Sequence, residues 1–220
     1  MRGPAAGTND DTEELRGQAY RLLAALLARP PDEAMLRRLA GLQGDDGSTL
    51  GSALASLGAA AARTGAAAAE REYNRLFIGV ERGELVPYGS YYESGFLFGP
   101  PLIRLRGDLA GLGLARADGV CEPEDHVAVT LETMADLIDG RVSGRTADLV
   151  GQRGFFERHI GTWVPRFFHD LQHAAGASFY APVGALGKAF LAVEARAFDL
   201  PDDAPPAGRA GGLMVEETDG

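Results

Sequence analysis

The sequence predicts an all-α protein, a single-domain helical bundle, and three observations carry that expectation. Apolar residues recur at three- and four-residue spacing through most of the chain. Ala, Leu, Glu and Arg, which favour helix, dominate the composition. β-branched residues are few and rarely alternate with polar ones, so the period-two signature of strands is nearly absent. The length of 220 residues suits one domain, and a hydrophobic share of 45% is enough to bury a full core.

Residues 1–10 read as a flexible N-terminus. The first helix is expected near Asp11-Thr12-Glu13-Glu14, where capping and acidic residues suit the positive end of a helix. Tyr20, Leu23 and Leu27 follow at helical spacing, and Pro30-Pro31 ends the run. Asp32 caps a short helix carrying Met35, Leu36 and Leu39. An Ala-rich helix spans about 49–77, with Gly58 and Gly65 as candidate breaks. The segment 79–99 reads as a long loop that is unusually aromatic, with Tyr88, Tyr91, Tyr92, Phe96 and Phe98. Pro100-Pro101 opens a helix with Leu102, Leu105, Leu109 and Leu112 inward and Gly113 as its cap. Another is expected from Pro123 to about Asp139, then three near 146–160, 165–174 and 178–198. The helical domain thus covers 11–200, and the segment 201–220, rich in Pro, Gly and acid, reads as a disordered tail.

Acidic residues outnumber basic ones by 31 to 21, for a net charge of −10. Such a chain repels nucleic acid and anionic membrane surfaces and attracts basic peptides, although acidity also serves plain solubility. Cys121 is the only cysteine, which leaves no intrachain disulfide and no cysteine-rich zinc site. No apolar run precedes Leu15, so no signal peptide is read, and no stretch reaches the roughly 18 apolar residues of a membrane span. The expected location is the cytoplasm.

Chemistry is concentrated in Glu122-Pro123-Glu124-Asp125-His126. On a helix begun at Pro123, Asp125, Glu132, Asp136 and Asp139 share one stripe, and Val127, Leu131, Met134 and Ile138 lie opposite. From Cys121 to Gly140 there are six acids and no Lys or Arg. The stripe is either a solvated face or a docking face for an arginine-bearing peptide, since carboxylates pair with guanidinium in a bidentate fork. His126 beside Asp125 has the ingredients of acid/base work, yet no nucleophile motif completes it, because Ser90 lacks the glycine elbow. No catalytic residue, metal site or cofactor is therefore expected. His169 and His173, four apart, lack the glutamate between them that a zinc-protease helix carries. Tyr73, Leu76 and Phe77 share a face that is either core or one wall of an apolar groove.

Four segments in order resemble the TorD/DmsD family of chaperones for molybdenum enzymes. They are Tyr73-Asn74-Arg75-Leu76-Phe77-Ile78-Gly79; Leu85-Val86-Pro87-Tyr88-Gly89-Ser90-Tyr91-Tyr92; Glu122-Pro123-Glu124-Asp125-His126; and Phe155-Phe156 with His159, Trp163, Phe167 and Phe179-Tyr180. The resemblance covers about residues 11–200. It implies a non-enzymatic, all-helical chaperone that binds the twin-arginine leader or N-terminal tail of a molybdopterin oxidoreductase catalytic subunit. Such a chaperone delays export until the cofactor is inserted. Carried over by position, the peptide-binding candidates are Tyr73, Leu76, Phe77, Pro87, Tyr88, Ser90, Glu122, Asp125 and His126. Some members carry Trp where this chain has Tyr73 and Tyr88. The wording of the second and third segments is most similar to members linked to formate dehydrogenase. The resemblance further implies a monomer or a helix-swapped dimer. The alternatives are a NarJ-like assembly factor for a cytoplasmic client and a helical metal-dependent hydrolase using His169 and His173.

Overall fold

The computed structural model describes residues 7–79, 83–114, 122–141 and 147–199, with the side chains of 7–10 left aside. Cys121 and the segment 201–220 lie outside the described residues, as do residues 1–6 of the expected flexible N-terminus. Among the described residues there are ten α-helices and no strand. In chain order they are α1 (Gly7–Ala28), α2 (Glu33–Ala40), α3 (Thr49–Arg63), α4 (Ala66–Tyr73), α5 (Gly89–Ser94), α6 (Pro100–Gly111), α7 (Val127–Ile138), α8 (Leu149–Phe155), α9 (Val164–His173) and α10 (Tyr180–Asp199). Single π-helical turns extend α4 over Asn74–Ile78 and α8 over Phe156–Ile160.

The helix ends follow local chemistry. Asp32, Ser48 and Asp148 each accept a backbone N–H of the first turn they cap. Gly113, at φ 77°, receives the chain after α6 in the left-handed region that a side chain disfavours. The long Ala-rich helix breaks at Thr64-Gly65 and stays helical through Gly58. Three expectations shift, and the first is that the segment 79–99, read as a loop, contains α5. α1 begins at Gly7, ahead of the acidic cluster. α7 begins at Val127 rather than Pro123, because His126 is its cap and residues 123–125 turn back toward the loop before α5.

The core forms where α1 packs along α7 and α10 packs against α9 and α3. α9 and α10 pack closely at Gly184, where a Cβ would stand 2.5 Å from the Gln172 backbone nitrogen. Two buried charges join distant helices. Glu194 on α10 takes a bidentate bond from Arg16 on α1 (2.7 and 2.8 Å) and a third bond from the Tyr20 hydroxyl (3.0 Å). Glu72 on α4 accepts the backbone N–H groups of Ser178 (2.7 Å), Phe179 (3.1 Å) and Tyr180 (2.8 Å) at the start of α10. These donors have no partner within their own helix, and the helix dipole favours an anion there.

Glu72→Ala strands those three donors. It should lower the unfolding free energy by about 1.5–3 kcal/mol, a drop in Tm of roughly 5–10 °C for a chain of this size. A thermal melt followed by circular dichroism checks this, and a Tm within about a degree of wild type removes Glu72 as a joint.

Candidate functional site

Six of the nine candidate residues, Pro87, Tyr88, Ser90, Glu122, Asp125 and His126, meet at a clasp between two chain segments, and Tyr73, Leu76 and Phe77 pack in or against the core. Residues 87–90 lie antiparallel to 125–127. The Val127 N–H donates to the Pro87 carbonyl (2.9 Å), the Gly89 N–H donates to the Asp125 carbonyl (2.9 Å), and Tyr88 pairs with His126 in an isolated bridge. Two helices start from this clasp. The Asp125 carboxylate accepts the Ser90 N–H (2.7 Å) in the first turn of α5. His126 caps α7 by accepting the Ala128 N–H at Nδ1 (3.2 Å). Gly89 permits the packing from behind, since a Cβ there would touch the Trp163 indole at 3.0 Å.

Asp125 is 3% exposed and Ser90 is fully buried, yet among the described residues Asp125 Oδ1 and Ser90 Oγ have no hydrogen-bond partner. A buried carboxylate oxygen without a donor is unusual and calls for an explanation in structure or function. Glu122, at the solvent edge, accepts a bond from the Tyr88 hydroxyl. Burial pushes the Tyr88 phenol well above its ordinary range, with the Glu122 bond adding to it. Burial likewise raises Tyr73, with the nearby Glu122 charge as the second cause. Both phenols are therefore protonated donors at neutral pH. Burial lowers the His126 pKa, opposed by Glu122 and Asp125. The neutral ring it favours is the form that can cap α7, with the edge of Tyr88 packed on it at 5.1 Å.

Tyr73 and Leu76 are buried rather than lining an open groove. Tyr73 donates to the Leu27 carbonyl (3.1 Å), and its ring meets Phe77 at 4.9 Å and Tyr180 at 6.0 Å. Phe77 is half-buried against Tyr180 and Phe167. Pro87 is buried and Tyr88 half-buried, which leaves Glu122 as the exposed member of the nine. The acidic stripe divides. Asp136 binds Arg21 at 2.7 Å and Asp139 binds the same guanidinium, so these two tie α7 to α1. Only the turn at its head, Glu122 to Asp125, stands at the clasp. Glu124 in that turn is bridged by Arg106 of α6 (2.9 Å).

Sequence reading missed two features and marked a third only in part. Glu72 gave no signal, because its partners are backbone groups more than 100 positions away. Asp108 binds His159 at 2.6 Å across α6 and the π turn after α8, and spacing carries no trace of that pair. Phe96 and Phe98, marked in sequence by the aromatic character of 79–99, project with Leu97 from the α5–α6 loop into solvent. His169 and His173 stack at 4.3 Å, but no group of three or more His, Cys, Asp or Glu among the described residues is placed to hold a metal ion. No described helix is long and apolar enough to cross a membrane.

A family model described as nitrate reductase delta subunit matches residues 43–169, a span that contains the clasp. Among curated proteins, the chain is 29% identical over 130 residues to a chaperone protein TorD of Vibrio cholerae, covering 56% of this chain and 59% of the relative. It is 30% identical over 117 residues to a Tat proofreading chaperone, DmsD, of Haemophilus influenzae, covering 52% of this chain and 54% of the relative. The chain thus spans somewhat over half the length of these relatives. A solved structure of a redox enzyme maturation protein from Archaeoglobus fulgidus superposes with a TM-score of 0.52 at 21% identity, over 81% of this chain and 94% of that one, which shows the shared fold.

The clasp makes stability sensitive to mild acid. His126 has a folded-state pKa below its unfolded value, so the unfolded chain takes up the proton more readily. The contribution of neutral His126 is complete above about pH 6.5 and is lost as pH falls below it. Tm should fall between pH 7.5 and 5.5. His126→Asn, which keeps a capping oxygen and does not titrate, should flatten that fall. Parallel slopes for the two proteins in thermal melts would show that His126 is not the titrating group.

Proposed function

We propose, from the premise that this chain belongs to the nitrate reductase delta subunit family together with the TorD and DmsD chaperones, that it is a non-catalytic cytoplasmic chaperone. It binds the twin-arginine leader or N-terminal tail of a molybdopterin oxidoreductase catalytic subunit and delays export until the cofactor is in place. The observation that supports this best is the unpartnered Asp125 Oδ1, buried at the head of α7 beside exposed Glu122. A carboxylate oxygen lacking a donor is matched by a guanidinium, which supplies several donors in a fixed fork. Glu122 provides the first, solvent-screened attraction, and Asp125, closed off from solvent at 3% exposure, takes the guanidinium in a desolvated contact once the clasp opens. Tyr88 lies between them with its hydroxyl on Glu122.

The wording of the segments around Tyr88 and Asp125 favours a formate dehydrogenase as client. A second reading has a specific observation behind it, since the matching family model is described by nitrate reductase. Under that reading the chain assembles a client that stays in the cytoplasm. A twin-arginine leader on the client captured with the purified chaperone selects the first reading, and its absence selects the second.

Asp125→Asn tests the site. Asn keeps an acceptor for the Ser90 N–H, so Tm should hold. Loss of a charged, desolvated contact should cost about 1.5–3 kcal/mol, roughly a tenfold to hundredfold loss in affinity for a synthetic twin-arginine leader peptide. Wild-type affinity should fall with added salt, and the variant should show a shallower dependence. Calorimetry at two salt concentrations measures both. Equal affinities for the two proteins at both concentrations would remove the acidic turn from the mechanism.

A further inference from the structure

Away from the clasp, a groove of about 430 Å³ opens between α1, α3 and α10. Leu15 and Leu22 on α1, Leu50 and Leu54 on α3, and Phe190 and Val193 on α10 line it. Leu15 is 66% exposed and Val193 48%, so the rim stands in solvent. The charged residues on its wall, Arg16 and Glu194, satisfy each other in their bidentate pair (2.7 and 2.8 Å). What this groove offers an occupant is therefore apolar contact rather than charge. An apolar opening left bare favours association with other apolar surface.

α10 carries the chain to this groove. Ala197 lines its end, two residues before α10 closes at Asp199. Thirteen residues, 200–212, then lead to Leu213-Met214-Val215. Among the residues outside the described ones, this is the one run of three large apolar side chains. Its surroundings are mostly Pro, Gly, Ala and acid, a composition that gives the three little to pack against. The distances match as well. The groove runs roughly 16 Å along α10 from Ala197 to Leu186, at the helical rise per residue. A flexible link of 13 residues averages roughly 20 Å end to end. A link whose mean reach matches the span holds its far end at the highest effective concentration.

We propose that Leu213-Met214-Val215 packs into the groove between α1, α3 and α10 of its own chain. Tethering selects this occupant over a second copy, because a short link supplies a local concentration on the order of millimolar, well above that of a free protein at working dilution. The groove selects the triad over the rest of the segment, because Glu216 and Glu217 beyond it would lose their hydration on entering an apolar cleft. The segment after α10 thus acts as a strap that covers an apolar face of the bundle.

Hydrogen exchange of the full chain, followed by mass spectrometry, tests the proposal. The backbone amides of 213–216 should exchange about tenfold or more slowly in wild type than in the double variant Leu15→Asp, Val193→Asp. Both substituted side chains are exposed at the rim, so the bundle should keep its Tm. Met214→Asp changes the strap instead of the groove and keeps the test valid if the double variant fails to fold. It should remove the protection at 213–216 and raise the fluorescence of added anilinonaphthalene sulfonate, as the uncovered groove takes up the dye. Protection that is unchanged on dilution supports docking within one chain.

Amides of 213–216 that exchange in wild type as fast as in Met214→Asp overturn the proposal. Protection that survives in a folded double variant overturns it too, since the triad then packs elsewhere. Equal dye fluorescence from wild type and Met214→Asp shows that the triad does not cover the groove. Protection that vanishes on dilution, together with a dimer in sedimentation, gives the groove to a second copy of the chain and overturns docking within one.

Discussion

The burial of one carboxylate organises this molecule. Glu72 is 7% exposed and would be strongly destabilising without partners. It finds them in three consecutive N–H groups at the start of α10, where backbone donors and helix dipole both favour an anion. Because Glu72 directly precedes Tyr73, the bond also fixes the π turn after α4. It holds the Tyr73 and Phe77 rings on Tyr180. The Leu85 N–H then donates to the Leu76 carbonyl (2.8 Å), so the turn sets where the segment leading into the clasp begins. A contact between α4 and α10 thereby positions a site that neither helix contains.

The clasp shows the opposite economy. Most polar groups around it are satisfied: Asp125 Oδ2 by Ser90, the Asp125 carbonyl by Gly89, His126 Nδ1 by Ala128. Against that background, Asp125 Oδ1 and Ser90 Oγ stand out as buried atoms with no partner among the described residues. Native interiors rarely leave such atoms. Nothing in the packing of α5 or α7 requires a charged residue there, since Asn would hold the Ser90 N–H equally well.

The surface is divided along related lines. α7 reads as one acidic stripe in projection, but Arg21 neutralises its middle and end, making Asp136 and Asp139 parts of the α1–α7 joint. The acidic turn at the head of α7 is left at the clasp, where Arg106 bridges Glu124.

The sequence by itself determined the helical architecture. Helix formation is decided locally, by periodicity, Pro and Gly punctuation and capping residues, and these marked the helices from Asp32 through Gly113, except the short α5 inside the segment read as a loop, and those after residue 146. The sequence also marked which short segments carry the clasp, because the Pro87–Ser90 and Glu122–His126 wordings stand out from an Ala- and Leu-rich background. Only the tertiary structure decided what those residues do. Whether Leu76 lines a groove or fills the core depends on α9 and α10, which approach from about 100 positions away in the chain. Whether an aspartate faces solvent or an arginine depends on the partner helix, so Asp136 and Asp125 look alike in sequence and differ in place. The start of α7 moved from Pro123 to Val127 for the same reason: Pro123 suits a first helical turn, but hydrogen bonds to residues 87–89 hold Asp125 and the head of α7 in a clasp that no local rule can register.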